Sequence, residues 1–240
     1  FLLLMDIPAL VLGAGVGGDL QDARLLRTCT AGVACEVAGL GGTGLGDGGR
    51  LVLSSAGCGL PAGSAALRGL PGPLGASEPA AVSAGGDLAA GWRGPITPDG
   101  GEYRLCGCKV VDPCEDLSTY TLDLGVITII GPESGLQEMC TSGRVCFVDG
   151  IQGTQLQDND SIMVLDECGG RPADGFPNGA KTTSGALHGS EHSWGEARIT
   201  ALGGQYSLCW CGQAGACEGP AHHLKRLGTL TVVGPAGDFS

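Results

Sequence analysis

Twelve cysteines stand at positions 29, 35, 58, 106, 108 and 114, and then at 140, 146, 168, 209, 211 and 217. Successive gaps are 6, 23, 48, 2 and 6 residues in the first set and 6, 22, 41, 2 and 6 in the second. One six-cysteine unit is therefore written twice, and whatever fold it specifies occurs twice. The flanking residues share the register. Cys29-Thr30-Ala31-Gly32-Val33-Ala34-Cys35 matches Cys140-Thr141-Ser142-Gly143-Arg144-Val145-Cys146, and Tyr103-Arg104-Leu105-Cys106-Gly107-Cys108 matches Tyr206-Ser207-Leu208-Cys209-Trp210-Cys211. Gly125–Pro132 pairs in the same way with Gly228–Pro235, and Trp92 with Trp194. With Gly13, Gly131 and Gly234 as markers, residues 1–13 read as the closing strand of a preceding repeat. Residues 14–132 are then repeat 1, 133–235 repeat 2, and 236–240 the start of a following one.

Cysteines in two matched sets of six favour disulfides and an oxidising compartment. Structural zinc sites prefer Cys-x2–4-Cys ligand pairs, whereas the close pairs here are Cys-x-Cys and Cys-x5-Cys. Six cysteines permit 15 connectivities. Local closures Cys140–Cys146 and Cys211–Cys217, with Cys168–Cys209 bridging two sheets, are the favoured set. Cys29, Cys35, Cys58, Cys106, Cys108 and Cys114 complete the framework in repeat 1.

The apolar runs are strand-length and bounded by Gly, Asp or Pro: Ser161–Leu165, Tyr206–Cys211 and Leu230–Val233. Gly is 46 of 240 residues, far above the usual ~7%, which points to turns and loops rather than helices. Residues 19–27 form the single helix-like stretch. The expected fold is all-β: tandem, disulfide-stapled, immunoglobulin-like β-sandwiches with antiparallel strands. Strand alternation turns Tyr206, Leu208 and Trp210 toward the core. The segments 60–91 and 169–193 are Gly-, Ala-, Pro- and Ser-rich, and loops of this length are usually functional or disordered.

A net charge of −12 lacks the positive field that nucleic acid requires. No run of about 18 apolar residues offers a membrane span, since Asp6 and Pro8 interrupt the apolar opening. Gly13-Ala14-Gly15-Val16-Gly17-Gly18, with Glu36 downstream, matches a dinucleotide-binding glycine motif. Its counterpart in repeat 2, Gly131-Pro132-Glu133-Ser134-Gly135, carries no such motif, so no cofactor is expected. Asp158, Asp160 and Asp166 are possible calcium ligands, but the matching positions hold Asp47, Gly49 and Ser55. His188, His192, His222 and His223 read as solvated surface residues. No nucleophile elbow, zincin motif or phosphate loop is present, and the chain reads as non-enzymatic.

Covalent glycans are expected instead. Asn159-Asp160-Ser161 is an N-glycosylation sequon. Ser77, Ser83, Thr182, Thr183 and Ser184 are candidates for O-glycans, and Pro61, Pro71, Pro73 and Pro79 for hydroxylation and glycosylation.

The pair of signatures Tyr-x-Leu-Cys-x-Cys (206–211) and Gly-x-Leu-Thr-x-x-Gly-Pro (228–235) resembles the tandem cysteine-rich repeats of algal and protist extracellular fibres. It is most similar to those of the flagellar mastigoneme shaft. The resemblance spans nearly the whole chain, and implies secreted, glycosylated, immunoglobulin-like domains in a fibre on a cell or flagellar surface. The expected partners are copies of the same chain, head to tail, and other fibre proteins. Leu2, Leu3, Leu4, Ile7, Leu10, Val11 and Leu12 would then complete a neighbouring sheet by strand addition. The alternative expectation is a cell-surface adhesion or glycan-binding module presenting loops 60–91 and 169–193, with Trp92 and Phe176 as the aromatics available for sugar stacking.

Overall fold

A computed structural model describes residues 27–40, 44–82 and 87–235. The chain is all-β, and its strands are short because Gly, Pro and Asp interrupt each apolar run. Repeat 1 supplies β1 (Arg27–Thr30), β2 (Cys35–Val37), β3 (Arg50–Ser54), β4 (Ala81–Val82), β5 (Leu88–Trp92), β6 (Gly101–Cys108) and β7 (Leu122–Pro132). Repeat 2 supplies β8 (Leu136–Thr141), β9 (Phe147–Val148), β10 (Gly153–Thr154), β11 (Ser161–Leu165), β12 (Ser184–Ala186), β13 (Glu191–Ser193), β14 (Gly204–Cys211) and β15 (Lys225–Val233). No helix among the described residues is long and apolar enough to cross a membrane.

The topology repeats with the cysteines. The larger sheets run β1-β7-β6-β3 and β11-β14-β15-β8, and the smaller ones β2-β5-β4 and β12-β13-β9. Within each repeat the two sheets share one core, in which Trp92 at the end of β5, or Trp194 just after β13, joins Leu105, Ile127 and Ile129 or Leu208 and Leu230 from the larger sheet. Each buried indole donates to a backbone carbonyl at an equivalent turn: Trp92 Nε1 to Gly75 O at 2.9 Å and Trp194 Nε1 to Ala180 O at 2.8 Å. Leu208 and Trp210 are fully buried in this core, and Tyr206 packs at its margin.

Several expectations are corrected. The sheets are not purely antiparallel, because the first strand of each repeat lies parallel to the last, β1 along β7 and β8 along β15. The pairs are Cys29–Cys35, Cys58–Cys106 and Cys108–Cys114, then Cys140–Cys146, Cys168–Cys209 and Cys211–Cys217. Cys168–Cys209 does not bridge two sheets. Alternation along β14 gives the core face to Leu208 and Trp210, so Cys209 points the other way and packs with Met163, Leu165 and Cys168 on the outer face. Segments 60–91 and 169–193 are not free loops, since they contribute β4 and β12 with short 3-10 turns at Pro73–Gly75 and Pro177–Ala180. The glycine motif at 13–18, most of the helix-like stretch and the assembly strand 2–12 lie outside the described residues. Arg27 opens β1, and Glu36 stands in β2, antiparallel to β5.

Two glycan candidates are buried structural hydroxyls. Ser77 Oγ accepts from Leu51 N at 2.9 Å, while Ser77 N donates to Leu51 O. Thr182 does the same for Ile162 in repeat 2, with Ile162 N donating to its Oγ1 at 3.0 Å. Each hydroxyl stands in for a missing neighbour strand at the sheet edge. Asn159, Thr183, Ser184, Pro61, Pro73 and Pro79 are exposed, Pro71 is half-buried, and Ser83 lies outside the described residues. Ser77→Ala strands the Leu51 amide and is expected to cost about 1–3 kcal/mol in denaturant titration of the oxidised chain; glycopeptide mass spectrometry should find Ser77 and Thr182 unmodified.

His192 and His223 are buried rather than solvated. His192 is the middle residue of β13, enclosed between Gly185 of β12 and Val148 of β9. His223 follows the 3-10 turn Pro220–His222; its Nδ1–H donates to Gly219 O at 2.9 Å, so Nε2 accepts from Ser161 Oγ at 2.9 Å. Burial, aided by the nearby Lys181 and His222, holds its pKa down at about 4, and burial lowers that of His192 as well. The unfolded chain therefore binds protons more tightly than the folded one between pH 6.5 and about 4. Stability is complete above that window and falls as pH drops through it, by about 2–3 kcal/mol for His223. All four histidines belong to repeat 2. Calorimetry should show the melting temperature falling as pH drops from 7 to 4, and His223→Tyr, the residue that repeat 1 has at Tyr120, should flatten the trend.

Candidate functional site

A cleft of about 880 Å³ opens on repeat 1, with Ser134 of repeat 2 at its margin. Its floor is the outer face of β3 and β6, and its far wall is the chain from Ser55 to Gly69. Ser54 Oγ accepts from Ala56 N and Gly57 N at 3.2 Å each, which turns the chain out of the strand. Cys58–Cys106 then pins the loop to β6, and Gly59 N donates to Tyr120 O at 2.8 Å. The loop returns through Gly69, whose carbonyl accepts from Thr97 N at 2.6 Å. A Cβ at Gly69 would stand 2.5 Å from the Thr97 carbonyl carbon, and φ there is +85°, so glycine is required.

The equivalent place in repeat 2 is closed. There Asp166 N donates to Arg171 O and Ala173 N to Val164 O, so the shorter loop pairs back onto the edge of β11. Asp166 Oδ1 also accepts from Glu167 N and Arg171 N at 2.7 Å. Repeat 1 has four more residues between the loop cysteine and the returning glycine, 58 to 69 against 168 to 175. Its loop arches away and no backbone bond from it reaches Leu53, the counterpart of Val164. Leu51 directs its N–H and C=O outward to Ser77, and alternation sends those of Leu53 the same way, into the cleft.

Around this ledge stand Tyr103, Arg68, Ser64, Thr97 and Asp99. The ring of Tyr103 is half-buried, and its hydroxyl donates to Asp99 O at 2.9 Å. Burial and the charges of Asp99 and Glu133 raise its pKa, so it stays a neutral phenol. Burial also pushes Asp99 up, but hydrogen bonds from Lys225 and Ser134 and the Lys225 charge outweigh it and hold the carboxyl below its usual value. The site is a mixed wall of aromatic edge, hydroxyls, one fixed carboxylate and one guanidinium beside unpaired strand edge. It offers both donors and acceptors.

Asp99 also belongs to the contact between the repeats. Lys225 Nζ, nearly inaccessible, donates to Asp99 Oδ1 at 2.6 Å, Ser134 Oγ at 2.9 Å and Thr97 O at 3.2 Å. Ser134 Oγ donates to Asp99 Oδ1 at 2.6 Å. Trp210 of repeat 2 packs beside Ala31 and Gly131 of repeat 1. Burial lowers the pKa of Lys225, and the Asp99 carboxylate opposes that shift. Because Asp99 is half-exposed, losing its partner costs less than for a fully buried pair. Lys225→Met is expected to destabilise the chain by about 1–3 kcal/mol and to split a shared thermal transition into two in calorimetry.

Ser64 and Arg68 of the cleft fall in the segment 60–91 expected to present a ligand, whereas Tyr103 was not among the expected site residues. The signal available was the unequal length of the two loops. Trp92 and Phe176, singled out for sugar stacking, are core residues; Phe176 packs on Trp194 at 5.5 Å and edge-on to Tyr206 at 6.1 Å. Asn159 lies on a separate cleft in repeat 2 with Asp158, Lys181 and Glu218, where an attached glycan would occupy the space. Ser161 and His223 form a serine–histidine pair, but both are buried, and an imidazole held at about 4 is a poor general base near neutrality. No three potential metal ligands converge among the described residues.

No protein-family model and no curated protein matches the chain. Among solved structures, SGBP-B of the Bacteroides ovatus mixed-linkage glucan utilization locus, in complex with a mixed-linkage heptasaccharide, superposes at a TM-score of 0.26 with 12% identity. The match covers 87% of this chain and 43% of that one. A superposition at this level assigns neither a fold nor a ligand.

Proposed function

We propose that the chain is a non-enzymatic extracellular or cell-surface module whose repeat 1 cleft binds a polyhydroxylated ligand, an oligosaccharide in chemical class. The observation that carries this reading is the unpaired strand edge at Leu53, opening into a walled cleft beside Tyr103, Asp99 and Arg68. Sugar hydroxyls both donate and accept, and a ring face packs on an aromatic edge, so a mixed wall of this kind suits them. The disulfides fit an oxidising setting outside the cell. The immunoglobulin-like reading of each repeat is supported by the buried Trp and by a Tyr that bonds back to the chain four residues upstream: Tyr103 to Asp99 O, and Tyr206 to Leu202 O. The disulfide on the outer face departs from that plan.

A second reading is a glycosylated fibre subunit of the mastigoneme type. It is favoured by the contact around Lys225, which couples consecutive repeats as a fibre would need. Glycans on Asn159, Thr183 or Ser184 would coat such a fibre.

Screening the oxidised chain on an oligosaccharide array, followed by titration calorimetry, tests the first reading. A binder should emerge whose affinity falls about tenfold or more with Arg68→Ala or Ser64→Ala, and not with Arg171→Ala in repeat 2. Retention of no saccharide, or binding indifferent to Arg68 and Ser64, overturns it.

A further inference from the structure

The edge of β3 leaves a gap one residue long in the cleft. On one side of it Leu51 is occupied: its N–H donates to Ser77 Oγ at 2.9 Å, and its carbonyl accepts from Ser77 N at 2.8 Å. On the other side Ser54 Oγ takes the amides of Ala56 and Gly57, and the chain leaves the sheet. An added strand pairs over several consecutive residues, so a gap holding Leu53 alone is too short for a peptide ladder. It is also recessed. Leu53 is 3% exposed, and a slender group on an arm reaches its carbonyl where a sugar ring does not.

Repeat 2 shows which group fits. At the equivalent place Val164 O accepts an amide hydrogen, from Ala173 N at 2.9 Å. In repeat 1 the lengthened loop arches away and supplies no such donor to Leu53 O. The surface beside the gap is apolar. Val52 and Cys106 form a buried cluster with Leu117 and Tyr120, and Leu60 and Ala66 of the loop pack against it. A sugar hydroxyl loses hydration on such a surface without gaining a partner, whereas a methyl group is stabilised there.

An amide hydrogen, a slender arm and a methyl group together describe one sugar substituent, the acetamido group. We propose that the repeat 1 cleft selects saccharides that carry acetamido groups, the N-acetylhexosamines. The inference rests on the oligosaccharide reading and narrows it. The acetamido N–H donates to Leu53 O, as Ala173 N–H does to Val164 O. In a trans amide the carbonyl points away from the N–H, so it faces the far wall, which carries Arg68 as a donor. The methyl group lies on the N–H side, toward Val52 and Leu60, and a neighbouring ring hydroxyl accepts from Leu53 N. Thr97, Asp99 and Tyr103 at the rim are left for the remaining hydroxyls. A de-N-acetylated sugar would instead bring an ammonium group to an apolar surface, and the Asp99 carboxylate is already held by Lys225.

An array of matched oligosaccharides with and without acetamido groups, probed with the oxidised chain, tests the selection. Binders should be confined to the acetamido members. De-N-acetylation should weaken binding about tenfold or more, since it leaves a recessed carbonyl unpaired, and chemical re-acetylation should restore it. Saturation-transfer NMR on a bound member should give its acetyl methyl protons the strongest signal. Equal binding of matched members, or saturation centred on protons remote from the acetyl group, overturns the inference and leaves the oligosaccharide reading standing. Retention of no member overturns both.

Discussion

Six disulfides carry the burden that a large aromatic core carries in other β proteins. Repeats of short strands rich in glycine lose much entropy on folding, and only ten aromatic side chains are present to offset it. Every described cysteine is paired. The long closures, Cys58–Cys106 and Cys168–Cys209, fasten the loop after β3 or β11 to the outer face of the larger sheet. Closing loops of that length stabilises by about 2–4 kcal/mol each. The far wall of the repeat 1 cleft depends on the Cys58–Cys106 closure, because beyond it the loop is held by only a few bonds, from Gly59 N to Tyr120 O, from Gly63 N to Asp116 Oδ2 and from Thr97 to Gly69 O.

The two repeats diverge where function would reside and agree where folding is decided. Trp92 and Trp194, Ser77 and Thr182, Gly69 and Gly175, and Tyr103 and Tyr206 each make the same bond in both. The loop after β3 or β11 differs in length and leaves one repeat open and the other paired back onto its strand. The rear surface differs in charge, so Asp99 serves the cleft and the inter-repeat contact together.

The all-β class and the pairing of cysteines close in sequence were legible because strand alternation and short loop closure are local properties. The burial of His192, His223, Ser77 and Thr182 was not. Each of these polar residues sits in a glycine-rich stretch that looks solvated, and each becomes buried only when a distant strand supplies its partner: Ser161 for His223, Leu51 for Ser77. The orientation of Cys168–Cys209 was within reach, since placing Leu208 and Trp210 in the core already commits Cys209 to the other face. The cleft itself depends on a loop that fails to pair, and a four-residue difference in length does not by itself say which way the extra chain goes.

Amide hydrogen exchange in repeat 1, with and without a bound oligosaccharide, addresses the central claim most directly. The account predicts that Leu53 exchanges rapidly in the free protein despite lying in a strand, and that its amide and those of residues 55–69 become protected on binding while repeat 2 is unchanged. Slow exchange at Leu53 in the free chain, or protection confined to repeat 2, would contradict it.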